Sequence, residues 1–150
     1  MNLQVIPTSA HGVLDYVASG INLITPKLLR LEDVPPAALA PRLVGTAGAA
    51  YSLFTDYELG NVKLLPMPAH LVLDAAKGAF LAFSPWLFGF AGKGTRYWLP
   101  HMLLGASDVL VALVSQTVPP KSNVPSPLRR SPCRRRYRTQ WSSSPGLLAV

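Results

Sequence analysis

His70–Phe90, HLVLDAAKGAFLAFSPWLFGF, is the stretch whose reading decides the fold. It is mostly apolar, carries one polar stripe, and is interrupted near its end by Ser84-Pro85-Trp86. A helix over it and its flanks is roughly 33 Å long at 1.5 Å per residue, enough to cross the hydrocarbon of a bilayer. The stretch also has an echo. Shifting the chain by 59 residues without a gap lays His11–Leu31, HGVLDYVASGINLITPKLLRL, on top of it. The matched identities are Pro7 with Pro66, Ala10 with Ala69, His11 with His70, Val13 with Val72, Leu14 with Leu73, Asp15 with Asp74, Pro26 with Pro85, Leu28 with Leu87, Pro41 with Pro100 and Ala47 with Ala106. Average composition would give roughly three or four matches over about fifty positions. Prolines recurring at one spacing mark recurring helix ends or kinks, and internal repetition dictates architecture.

Charge divides the chain in two. Residues 1–120 hold seven Lys or Arg against seven Asp or Glu, whereas residues 121–150 hold seven cations and no acid, so the net charge of +7 belongs to the tail. The body carries about half the charge that a soluble domain uses to cover its surface. That deficit favours a lipid-facing exterior. The longest uncharged run, Gly78–Gly92, has 15 residues, so each helix must place its charges at its edges or inside a bundle. The single cysteine, Cys133, excludes an intramolecular disulfide, a CxxC pair and a cysteine-built metal site. The first ten residues, MNLQVIPTSA, contain no Lys or Arg, so no cleavable signal is expected and the first helix serves as its own insertion signal.

Four segments of spanning length are expected, at about 8–30, 39–56, 69–91 and 97–118. Thr8 or Ser9 is placed to cap the first. Thr25-Pro26 and Ser84-Pro85 fall near the far ends of the first and third, where proline stops or kinks a helix and the preceding hydroxyl can serve a freed backbone group. Small residues at Gly45–Ala50 and Gly105–Ser107 allow close helix approach. Trp86, Tyr97 and Trp98 flank the loop Gly92–Arg96 and are expected at headgroup level. The loops after the first and third helices hold Lys27, Arg30, Arg42, Lys93 and Arg96, while the middle loop has only Lys63. The body's cations therefore place both termini outside, and the Arg-rich tail opposes them.

Ser84-Pro85-Trp86 in the first helix of a repeated two-helix unit, preceded by an HxxxD element, resembles the SPW-repeat membrane proteins. The resemblance covers residues 5–118, and in its first copy Thr25-Pro26-Lys27 replaces the triplet. It implies an integral membrane protein of undefined activity.

One constellation is placed to carry chemistry. His11 with Asp15 and His70 with Asp74 are each four apart and share a helix face, and the stripe runs on through Asn22 and Thr25 or through Lys77 and Ser84. Hydrogen bonding across the bundle is the leading reading of these pairs; a proton relay and a metal site are the others. Lys77 and Asp108 are expected to face each other inside the bundle, with Asp74 competing for the lysine. No phosphate loop, GxSxG, HExxH or haem pattern is present.

The sequence is thus read as an all-α membrane protein: four transmembrane helices in two tandem hairpins, a parallel repeat at shift 59. The transmembrane domain occupies residues 1–120, with repeats at about 5–58 and 64–118, and a disordered basic tail follows over 121–150. The expected function is a structural or partner- or lipid-interacting four-helix bundle; the alternative is a small transporter or proton-linked carrier that uses the His-Asp stripe. No catalytic residue, cofactor or metal is assigned, and the chain is not read as an enzyme. Expected partners are the bilayer, a membrane protein or a second copy of the chain, and anionic lipid at the tail, but not nucleic acid. The expected location is multi-pass in a cytoplasmic membrane of bacterial type.

Overall fold

Proline sets most of the helix boundaries. The computed structural model describes residues 4–118, and these hold four α-helices and no strand: α1 (Thr8–Leu28), α2 (Pro35–Leu53), α3 (Met67–Leu87) and α4 (Thr95–Val114). The basic tail expected over 121–150 lies outside the described residues. Helix α2 starts earlier than expected because Pro35 and Pro36 occupy its first turn, where a missing N–H costs nothing. Helices α1 and α3 stop two residues beyond Pro26 and Pro85, short of the expected 30 and 91. Helix α4 also stops short of 118, because Ser115 turns extended and bridges Ile6. The cap expected from Thr8 or Ser9 is absent. Pro7 holds the N-cap position, and the Thr8 hydroxyl lies 2.8 and 2.9 Å from the two Glu58 carboxylate oxygens, donating to them.

The two proline-bearing helices end in the same way. Leu31 N–H donates to Pro26 C=O at 2.8 Å and Phe90 N–H to Pro85 C=O at 2.9 Å, the long bond of a Schellman cap. That cap needs a left-handed residue just past the helix. Gly89 supplies it at φ 70° and Arg30 at φ 52°, the latter against the steric preference of a residue with a Cβ. Leu31 and Phe90 then bury themselves with Val34, Ala37 and Tyr97 in one apolar cluster at this end of the bundle. Tyr57, Met67 and Leu71 form another at the opposite end.

Helices α1 with α2 and α3 with α4 make the most extensive contacts, α2 with α3 makes fewer, and α1 with α4 and α2 with α4 touch only sparsely. Small residues permit the close pairs. A Cβ on Gly45 would lie 2.7 Å from Ser19 O, and one on Gly105 would collide with Gly78 O. Ser19 and Gly78 are 59 apart but Gly45 and Gly105 are 60 apart. The same offset recurs at the helix ends: Gln116 N–H donates to Ile6 C=O and Asp56 N–H to Leu65 C=O, both at 2.8 Å. The ungapped shift of 59 therefore holds between α1 and α3 and slips by one residue between α2 and α4. Asp108 corresponds to Gly48, not to Ala49.

Polarity runs outward in reverse. The residues that α1 buries are Thr8, His11, Gly12, Asp15, Ser19, Asn22, Thr25 and Pro26. Those it exposes include Val13, Val17, Ile24 and Leu28, at 53, 52, 58 and 73%. Val72, Phe83, Leu87, Leu103, Leu110 and Leu113 continue the apolar exterior on α3 and α4.

Candidate functional site

Near the start of α1 and α3, where each helix is one turn old, the His and Asp pairs of the two helices interlock. Asp74 Oδ2 lies 3.0 Å from His11 Nε2 and 3.0 Å from His70 Nε2; Asp15 offers Oδ2 to His70 Nε2 at 2.9 Å and Oδ1 to His11 Nε2 at 3.3 Å. The four side chains alternate as a ring of imidazole and carboxylate, all buried. The spacing of four puts His and Asp of one helix on one face; α1 and α3 face each other across the bundle, and their side chains reach over to make the cross-helix contacts, which include the shortest of the four.

The outer nitrogens are held as well. His11 Nδ1 is 2.7 Å from Ser115 Oγ and His70 Nδ1 is 2.7 Å from Thr55 Oγ1. Each hydroxyl already donates its one proton to a backbone carbonyl, Ser115 to Val111 O at 2.6 Å and Thr55 to Tyr51 O at 2.8 Å. Both hydroxyls must therefore accept from the rings, so both Nδ1 atoms carry hydrogen and both Nε2 atoms turn toward the carboxylates. The remaining carboxylate oxygen of Asp74 accepts from the Tyr51 hydroxyl and from Lys77 Nζ, the latter at 2.8 Å.

One turn further in, Lys77 Nζ is 3.5 Å from Asp108 Oδ2. Asp74 is the nearer partner of the lysine, and Asp108 Oδ2 has no hydrogen bond. Gly48 lies beside this charge, where a Cβ would stand 3.4 Å from Lys77 Nζ and would crowd Ser19 Oγ at 2.8 Å. A cavity of about 230 Å³ opens between α1 and α4, which touch only sparsely, and its lining includes His11, Asp15, Asp74, Lys77 and Asp108.

The Ser84-Pro85-Trp86 triplet stands apart from the ring. Pro85 has no N–H to offer Leu81 C=O, and the Ser84 hydroxyl donates there instead at 2.7 Å. Trp86 is 54% exposed, with its ring 6.1 Å from that of Trp98. Tyr97, expected at headgroup level with them, is instead 8% exposed and donates to Asp33 Oδ2 at 2.5 Å. That donation holds the Asp33 carboxyl below its ordinary value, and Arg96, 3.0 Å away, adds to the effect.

Sequence reasoning missed Thr55, Ser115 and Tyr51 as ring partners, and His101. His101 Nε2 donates at 2.9 Å to Ala37 C=O, the carbonyl that Pro41 leaves without a helical donor. A proline inside a helix four residues after an alanine was the available signal, but it does not say which distant donor will come.

A family model described as the SPW repeat domain matches residues 9–115, which span all four helices and both hydroxyl partners of the ring. No curated protein and no solved structure matches the chain.

Proposed function

The chain belongs to the SPW repeat family, and from that premise we propose that it is an integral membrane protein, a four-helix bundle of two tandem hairpins whose role is structural or partner-binding. The observation that carries this reading is the inverted polarity of α1, which buries hydroxyl, imidazole, amide and carboxylate groups and exposes Val, Ile and Leu. Water would reverse that arrangement; hydrocarbon supports it. Among the described residues one helix, Thr95–Val114, is long and apolar enough to cross a membrane by composition. The average of a helix such as α1 is lowered by residues that face inward, which lipid does not meet.

The tandem-hairpin arrangement is supported by the exchange of partners: His11 with Asp74 against His70 with Asp15, and Ser115 against Thr55. The ring then locks the hairpins together, both inserted in the same orientation, in a multi-pass protein of a cytoplasmic membrane of bacterial type. The exposed apolar belt takes lipid, a second copy or a membrane-protein partner. Alkaline carbonate should leave the chain in the membrane pellet, and reporter fusions at Leu59 and Val118 should agree with each other and oppose one at Arg30. Release by carbonate, or opposite signals from Leu59 and Val118, would overturn the reading.

The cavity between α1 and α4 favours a second reading, a small proton-linked carrier whose path reaches Asp74, Lys77 and Asp108. Proteoliposome flux lost in Asp74→Asn and Asp108→Asn, with folding intact, would support it. Flux unchanged in every condition leaves the structural role.

A further inference from the structure

We propose that His11, Asp15, His70 and Asp74 form a binding site for one divalent transition-metal ion of the zinc type. One ligand atom from each of the four lies within 4.8 Å of the other three, and all four residues are buried. Two imidazole nitrogens and two carboxylate oxygens make a four-coordinate set without thiolate. A tetrahedron with bonds of about 2.0–2.1 Å has edges of roughly 3.3–3.4 Å. The three contacts through the Oδ2 atoms of Asp15 and Asp74, 2.9–3.0 Å, reach those edges by relaxing outward a few tenths of an ångström, and the remaining separations, none above 4.8 Å, close inward onto the ion. Magnesium and calcium prefer six or more oxygens, and this set offers two imidazoles instead.

The surroundings argue further than the distances. Metal-ligating histidines donate their other ring N–H to an acceptor that fixes tautomer and orientation. Both rings do so here, because Ser115 and Thr55 have spent their own protons on Val111 and Tyr51 carbonyls and can only accept. Both Nε2 atoms are thereby presented toward one centre. Asp74 has its other oxygen held by Tyr51 and Lys77, which leaves Oδ2 for an ion. Two carboxylates balance the two charges of the ion, so the buried centre is neutral when loaded. The cavity between α1 and α4 reaches three of the four ligands and provides a way in.

The test uses the full chain in detergent, purified on a tag without histidine and dialysed against Co²⁺ or Zn²⁺. One equivalent of metal per chain is expected by elemental mass spectrometry, with the visible absorption bands of four-coordinate Co²⁺. His11→Gln and His70→Gln should each weaken Co²⁺ affinity by more than about ten-fold, and Thr55→Val, which removes only the acceptor behind His70, by about 10–100-fold. Asp108→Asn and His101→Gln should keep the full equivalent. Wild-type protein that is helical and monodisperse yet takes up no stoichiometric metal would reduce the ring to hydrogen bonding alone and overturn the proposal, as would wild-type affinity in the double variant of His11 and His70. Should the variants fail to fold, the wild-type chain still decides: two hyperfine-shifted exchangeable imidazole N–H resonances are expected with Co²⁺, and their absence defeats the assignment.

Discussion

At the level of His11 and His70 both halves of the bundle contribute alike, each giving one imidazole, one carboxylate and one hydroxyl, whereas one turn further in only the second half carries charge. Lys77 and Asp108 stand where the first half has Ala18 and Gly48. The difference is one of dependence. The shared layer is completed only when the halves meet, since His11 needs Asp74 and His70 needs Asp15. The unshared layer is completed within α3 and α4, with Asp74 as its one link to the ring. Damage to the ring should therefore separate the halves, and damage to the Lys77 layer should stay local.

The largest effect is expected from Asp74→Ala, which strips both imidazoles, Tyr51 and Lys77 of one partner. Removing one member of a buried charged set costs about 3–5 kcal/mol. Asp15→Ala should cost less, because Asp15 has only the two imidazoles and a Ser52 hydroxyl at 3.4 Å. Denaturation in detergent measures both; equal losses would mean that the link to the Lys77 layer contributes nothing.

Next is the coupling of Lys77 with Asp108. A double-mutant cycle with Lys77→Ala and Asp108→Ala should give an interaction of about 0.5–3 kcal/mol. Lys77→Ala should be the costlier single change, since it also deprives Asp74. Strictly additive losses would show that the 3.5 Å approach carries no energy.

The halves differ again at the ends of α1 and α3, where one cap motif is built on Arg30 and on Gly89. Arg30→Gly should stabilise the chain by about 1 kcal/mol by removing the left-handed penalty of a residue with a Cβ. A loss of thermal stability would mean that the Arg30 side chain contributes more than its backbone costs.

The smallest effect concerns the outer loops. Asp33 is held below its ordinary value by Tyr97 and Arg96; its folded-state value is depressed, so its stabilisation is present above the ordinary carboxylate range and fades as pH falls through the lowered value. Asp33→Asn should thus differ slightly from wild type at neutral pH and converge with it in acid. A gap in melting temperature that persists at low pH would assign the effect to packing of Tyr97.

Much of the helical layout was legible because its causes are local. Pro26 and Pro85 announce helix ends through the N–H they lack, and His11 with Asp15 or His70 with Asp74 announce a shared face through the pitch of the helix. Where reading failed, the cause lay beyond the local chain. The local chain marks Thr8 as a cap, but a carboxylate fifty residues away, on Glu58, takes its hydroxyl. The one-residue slip between α2 and α4 was invisible because Pro41 with Pro100 and Ala47 with Ala106 match at 59, while the contacts of Gly45 and Gly105 follow 60.

By itself the sequence determined the family, the helical class, the polar stripe and the apolar exterior, since periodicity, proline and composition act over a turn or two of helix. Only the tertiary structure decided that the stripes of α1 and α3 close on each other, that Thr55 and Ser115 orient the two imidazoles, and that His101 serves the carbonyl freed by Pro41. Those contacts join residues from 15 to 104 positions apart, and their geometry depends on how helices cross, which no local spacing encodes.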